Sequence, residues 1–217
     1  VPSGCRPPKS ARGPLARLRT VPGMTSSYRI RPEQPGDHAA VHDLHVLAFG
    51  DPDRVPGLVA ALRTAPAAFA PLSLVATDAD RSVVGHVMLS AGRLDAQRRL
   101  VDVATLSPLG VHPEHQRRGV GTELVAAALA AAERQGLPLV FLEGSPPYYG
   151  ARGFERASAH GFRAPSLRIP DPAFQVARLS AHEEWMTGGY VYSEAFWAHD
   201  CVGLRDPERF ARIAALG

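Results

Sequence analysis

Between Leu106 and Glu143 the chain leaves itself little conformational choice. An apolar run ending at Val111 is followed by glycines at 119 and 121, an alanine-rich stretch from Thr122 to Gln135, and a five-residue run from Leu139 to Glu143. Leu124, Val125, Ala128, Leu129 and Ala132 recur at helical spacing, and Gly136 with Pro138 supplies the stop. Strand, tight turn, helix and strand in immediate succession form a crossover. Such a crossover requires its two strands to lie parallel in one sheet.

The flanking segments build an antiparallel surround for that pair. Tyr28 to Arg31 alternates like a short strand, and Asp37 opens a helix whose Ala40, Val41, Leu44, Leu47 and Ala48 share a face. Gly50-Asp51-Pro52-Asp53 breaks it, and a second helix covers Val55 to Thr64. Three strands are expected next, at Leu72–Thr77, Val83–Ser90 and Val101–Val111, the first two joined by the turn Asp78-Ala79-Asp80-Arg81. Short strands are expected at Gln175–Leu179 and Gly189–Tyr192. The expected class is α/β, with a mixed, mostly antiparallel sheet flanked by helices. Residues 26–217 read as a single domain and 1–25 as a disordered basic arm or upstream extension.

Composition narrows the partners. The net charge of +3 suggests polyanion affinity only until it is located. Arg6, Lys9, Arg12, Arg17 and Arg19 precede Met24 with no acid among them, which leaves 19 basic against 21 acidic residues afterwards. The folded part is slightly acidic, so no nucleic-acid partner is expected. No apolar run approaches the roughly 20 residues of a membrane span. Cys5 and Cys201 make no disulfide framework, and a reducing cytoplasm is the expected compartment.

Chemistry concentrates in His112-Pro113-Glu114-His115-Gln116-Arg117-Arg118-Gly119-Val120-Gly121, where a strand turns into a helix. Unpaired amides at a helix N-terminus meet the positive end of its dipole and favour a phosphate or pyrophosphate. Glycine admits the anion to the backbone, and the arginines add charge-assisted donors. The loop has no Gly-x-x-x-x-Gly-Lys-Ser/Thr pattern and no third glycine for a dinucleotide fold.

This stretch resembles the acetyl-CoA motif of the GNAT superfamily of N-acetyltransferases, Gln/Arg-x-x-Gly-x-Gly/Ala, here Gln116 to Gly121 after Pro108-Leu109-Gly110-Val111. Tyr149-Gly150-Ala151-Arg152-Gly153-Phe154 matches a second motif, Tyr-x-x-x-Gly-Phe. Pro146 to Phe154 and Gly189 to Phe196 are similar to a bacterial acetyltransferase branch. The resemblance implies a GNAT-like fold whose parallel central strands splay apart to admit a thioester. It implies acetyl-CoA as cosubstrate, with no metal, and a small-molecule or protein primary amine as acceptor. Leu109, Gly110 and Val111 would present backbone to the pantetheine arm, and Gln116, Arg117, Arg118, Gly119, Val120, Gly121 and Thr122 would hold the pyrophosphate. Tyr149 would be the general acid, and the Val111 amide would polarise the thioester carbonyl. The sequence departs from the family where Leu142 replaces an asparagine, where Glu143 ends the fifth strand, and where Ala151-Arg152 stands in place of Arg-Phe. A catalytically silent acyl-CoA-binding or regulatory module is the alternative.

Other candidates are weighed by position. Glu143 is a candidate base beside the expected splay. Tyr148 is a rival acid. His38, His42 and His45 fall within about 60° on one helical face, away from the apolar stripe, and read as a solvated face, with a role in the acceptor cleft as the alternative ahead of a metal site. Phe49 and Asp51 border the expected acceptor side. Cys201 reads as an incidental thiol, and the apolar-rich C-terminal segment as a candidate homodimer surface.

Overall fold

The computed structural model describes residues 28–216; the basic arm expected over residues 1–25 lies outside them. The described chain forms β1 (Arg29–Pro32), α1 (His38–Phe49), α2 (Arg54–Thr64), β2 (Leu72–Thr77), β3 (Val83–Ala96), β4 (Leu100–Val111), α3 (Val120–Arg134) and β5 (Leu139–Glu143). There follow α4 (Pro146–Gly150), β6 (Glu155–Arg156), β7 (Phe162–Arg163), β8 (Phe174–Arg178), β9 (Gly188–Val191), α5 (Glu194–Ala198) and α6 (Pro207–Ala214). The sheet runs β1-β2-β3-β4-β5-β8-β6, with β9 joining β3 and β7. β4 and β5 are parallel, as the crossover demands, and a second short parallel pair joins β7 to β9.

Alternate residues of the central strands feed two apolar layers. Val75, Met88, Val103 and Phe141 face one side with Val41, Leu58 and Val59 of α1 and α2. Their neighbours Ala76, Val87, Ala104 and Val140 face the other, beneath Leu124, Val125 and Ala128 of α3. This period of two across a sheet covered on both faces fixes the register, because a one-residue slip would exchange the layers. β3 extends beyond Ser90 because β9 supplies a partner for Arg93 to Ala96. At the β3–β4 pair the register shifts: Val87 opposes Leu109 but Leu89 opposes Leu106, so Ser107 and Pro108 bulge opposite Met88.

The crossover strands separate almost as soon as they meet. Ala104 pairs with Val140 and Thr105 with Phe141, and no further pairing joins them. β5 spends its other edge on β8 along its whole length, from Leu139–Arg178 to Glu143–Phe174. Beyond Thr105, β4 therefore presents an unpaired edge to a gap.

The α1 face is rotated from the sequence expectation. Val41, Leu44 and His45 are buried, whereas Leu47 is 56% exposed, so the buried arc is turned by about 50° and takes in one of the three histidines. His38 and His42 stay exposed, and His42 bonds Asp43. The reading of all three as a solvated face is thus corrected at His45, whose partner is 41 residues away.

His45 belongs to a buried polar chain. Arg63 pairs with Glu33, which accepts from the Ser73 hydroxyl at 2.6 Å. Ser73 in turn accepts from His86 Nε2 at 2.8 Å, and His86 Nδ1 accepts from His45 Nε2 at 2.8 Å. With the serine proton committed to the carboxylate, each imidazole is placed as its Nε2–H tautomer. The chain ends where the His45 ring rests against Gly110 of β4, at 2.8 Å from where a Cβ would be. Burial, first, and the neighbouring imidazole and Arg63 push His45 down to about 3; burial and Arg63 do the same to His86.

Both imidazoles are therefore neutral in the fold, while the unfolded chain protonates them below about pH 6.5. Depressed folded-state values give stability that is full above about pH 6.5 and falls as pH drops toward 3. Urea unfolding at pH 7.5 and 5.0 is expected to show a loss of about 2 kcal/mol per imidazole. An unchanged stability would mean that the pair carries protons in the folded protein.

Candidate active site

The unpaired edge of β4 is aimed by strand alternation. The His112 amide donates to Val84 across the β3 side at 2.9 Å, so the amides of Val111 and Leu109 turn toward the edge that β5 has left. The Val111 carbonyl, on that same edge, accepts from Gln116 Nε2 at 3.2 Å, which ties the following loop to the strand.

That loop enters α3 through two left-handed residues, Arg117 at φ 59° and Gly119 at φ 92°. Gly119 is the N-cap and offers no side chain to cap the first amides of α3. Leu109, Val111, His115, Gln116, Arg117, Gly119, Gly121, Thr122, Tyr148, Tyr149 and Arg152 border a cavity of about 360 Å³ over this helix end. Three residues assigned to the same anion or strand surface do not border it. Gly110 backs onto His45, Arg118 is exposed, and Val120 is buried under the sheet.

α4 closes the cavity from the β5 side. Ser145 accepts from the amides of Tyr148 and Tyr149, and Pro146 at the first turn suits a helix start. The Tyr148 hydroxyl occupies the space where a Cβ on Gly121 would be, so this approach requires glycine. The Arg152 guanidinium lies 3.6 Å from the Tyr148 ring centre. It also donates to Thr122 Oγ1 at 2.6 Å and to the Tyr148 carbonyl. The Ala151-Arg152 departure thus installs a cation on the cavity wall, bridging α4 and α3.

A second cavity, of about 400 Å³, lies on the other side of the gap. Leu106 to Leu109, Glu143 to Pro146 and Phe49 contribute to its walls, and so do Arg209, Ile213 and Leu216 near the chain's end. The C-terminal segment read as a dimer surface folds here, with α6 lining this cavity. The two cavities have two lining residues in common, Leu109 and Tyr149.

Tyr149 is held at that junction by its backbone bond to Phe154 and an edge contact between the two rings at 5.7 Å. Burial, then the neighbouring Tyr148, raises its phenol above the usual tyrosine value, against a smaller opposite pull from Arg152. It keeps its proton throughout the neutral range. Tyr148, the rival acid, lines the first cavity alone.

Glu143 lines the second cavity at the end of β5. Its carboxylate accepts from the Tyr192 hydroxyl at 2.7 Å and the Gly203 amide at 3.0 Å. Burial raises its pKa, opposed by those two bonds and by Arg168. Tyr192 falls within the Gly189 to Phe196 motif, whereas no sequence signal pointed to Gly203.

Cys201 lines the same cavity with its thiol pushed up to about 11 by burial. A neutral thiol is a poor nucleophile. Phe49 borders the cavity, whereas Asp51 accepts from the amides of Asp53 and Arg54 at the start of α2. Among the described residues no group of three or more His, Cys, Asp or Glu side chains is placed to hold a metal.

Residues 29–157 match the family model of the acetyltransferase (GNAT) domain. The chain belongs to the GNAT acetyltransferase family. Escherichia coli YhbS, an uncharacterized N-acetyltransferase, is 34% identical over 131 residues, covering 59% of this chain and 75% of its own. YjhQ of the same organism, also an uncharacterized N-acetyltransferase, is 31% identical over 70% of this chain and 84% of its own. The crystal structure of YhbS in complex with CoA superposes with a TM-score of 0.68 at 29% identity, covering 78% of this chain and 92% of that one. A Brucella melitensis GNAT acetyltransferase in complex with acetyl-CoA gives 0.62 at 27% identity, covering 78% and 97%. The GNAT fold expected from the sequence is the observed one, splayed parallel pair included.

Gly119 gives a direct check on the GNAT loop. A Cβ there meets nothing within 4 Å, so Gly119→Ala probes the left-handed backbone alone. That conformation costs an L-residue about 1–2 kcal/mol, or a fall of roughly 2–8 °C in Tm for a chain of this size. Gly150→Ala, which also meets nothing but lacks the positive φ, is the control and should not lower it.

Proposed function

We propose that this GNAT protein transfers the acetyl group of acetyl-CoA to a primary amine by direct attack, without an acyl-enzyme. The observation that carries the reading is the junction: two cavities from opposite sides of the β4–β5 gap share Leu109 and Tyr149. A thioester entering from the first would meet an amine entering from the second beside a phenol that keeps its proton. The complexes of the two similar structures with CoA and with acetyl-CoA support the choice of cosubstrate.

The residues present suit that cosubstrate. The amides at the start of α3, with Gln116, Arg117, Thr122 and Arg152, would hold the pyrophosphate. The Leu109 and Val111 amides on the free edge of β4 would bind the pantetheine arm, with Val111 polarising the thioester carbonyl. The amine nitrogen forms its bond to the carbonyl carbon as the carbon–sulfur bond breaks, and sulfur leaves with the electron pair. Tyr149 donates the proton that makes the thiol and is reprotonated from solvent. Glu143, directly or through water, takes the proton released by the amine. The cavity dimensions suit a small-molecule acceptor.

Tyr149→Phe should lower kcat for thiol release about 100-fold, within the range for general acid catalysis, with acetyl-CoA affinity retained. Equal turnover would remove Tyr149 from the acid role. Acetyl-CoA at 100 times its dissociation constant should stabilise the wild type by about 2.7 kcal/mol, a Tm rise of roughly 5–10 °C. Arg152→Ala should weaken acetyl-CoA binding about tenfold by calorimetry, through loss of a charged donor. Absence of any acetyl-CoA effect on the wild type would overturn the proposal before an acceptor is tried.

A further inference from the structure

The acceptor cavity holds charges that amine attack alone leaves unused. Most are already spent. Arg54 pairs with Asp51 at 3.4 Å, and Asp200 is held by Arg168 at 3.1 Å and Arg205 at 2.5 Å. Glu143 faces the cavity beside Tyr149, at the end where the acetyl group would arrive. Arg209 is different. It is an exposed residue of α6 that contributes to the cavity wall, and among the described residues its guanidinium has no carboxylate partner.

The two nearest acids in sequence are committed elsewhere. Asp206 Oδ1 accepts from the amides of Glu208 and Arg209 and so caps α6, while Glu208 reaches Arg212 at 3.9 Å. Besides Glu143 and Arg209 the wall includes the apolar side chains of Val55, Leu58, Leu204, Ile213 and Leu216. A cavity of about 400 Å³ that combines the half-buried Glu143 carboxyl, apolar side chains and a guanidinium with no carboxylate partner complements a small molecule carrying an amine, an apolar body and a carboxylate.

We propose that the natural acceptor is an amphipathic amino carboxylate, its amine at Glu143 and Tyr149, its apolar body along α6, and its carboxylate on Arg209. The inference rests on the acetyl-transfer reading above. The carboxylate makes and breaks no bond. The amide forms at nitrogen, the carbon–sulfur bond breaks, and a guanidinium–carboxylate contact supplies binding and selectivity. Arg209 is a specificity residue, one that reads the part of the acceptor remote from the reaction.

The test pairs each amino acid with its decarboxylated partner: leucine with 3-methylbutylamine, phenylalanine with 2-phenylethylamine, and 6-aminohexanoate with pentylamine. Thiol release from acetyl-CoA is followed for all six, and their effect on the Tm of the CoA-saturated protein is measured in parallel. In at least one pair the carboxylated member should be preferred by about 10-fold or more in kcat/KM, as a charged hydrogen bond allows. Arg209→Ala should bring that ratio toward one, mainly through KM, and Arg209→Lys should keep part of it. Equal use of both members of every pair, or a preference that survives Arg209→Ala, overturns the carboxylate reading and leaves acetyl transfer standing. So does acetyl-CoA stabilisation with no carboxylated member either turned over or bound. Loss of the acetyl-CoA effect itself would instead overturn the acetyl-transfer reading on which this one rests.

Discussion

Two backbone rungs, Ala104–Val140 and Thr105–Phe141, are all that joins β4 to β5, and the site follows from their ending. A parallel pair carried further would bond the amides of Leu109 and Val111 to β5 and close the gap between the cavities. The pair is held open from both sides. β8 takes the outer edge of β5, while the Ser107-Pro108 bulge bends β4 against β3. Backbone hydrogen-bonding capacity that a sheet would normally consume is thereby left for a bound molecule.

The strand that carries those amides is backed by an unusual support. Gly110 lies between Leu109 and Val111, and the His45 ring fills the space its missing side chain leaves. Through His86 and Ser73 that ring is tied to the Glu33–Arg63 pair. The polar chain links α1, α2, β2 and β3 and ends at β4, so the alignment of the open edge rests on a buried network rather than on apolar packing alone.

The crossover and the meander were legible in the residues because their signals are local. β2 and β5 span the same residues as the runs at Leu72–Thr77 and Leu139–Glu143, where apolar runs end at turns. The loop before α3 was legible for the same reason: Gly119 and Gly121 sit where one strand becomes one helix. His45 was misread because its partner lies on another element and periodicity carries no information about it. Arg152 was noted only as a departure, since its contacts with Tyr148 and Thr122 require α4 to fold back over α3. The second cavity was least legible. Its walls draw on residues from Phe49 to Leu216, brought together only by the tertiary fold.

The two sides of the gap differ in how the chain supplies them. Every residue lining the first cavity lies between Leu109 and Arg152, inside the segment that matches the family model. Much of the opposite wall, from Pro170 to Leu216, lies beyond it. The family model therefore spans the whole lining of the first cavity and only part of that of the second. That division also has a practical side: Arg209, Ile213 and Leu216 border the second cavity and none of them the first, so removing α6 would strip part of one wall and leave the lining of the other complete.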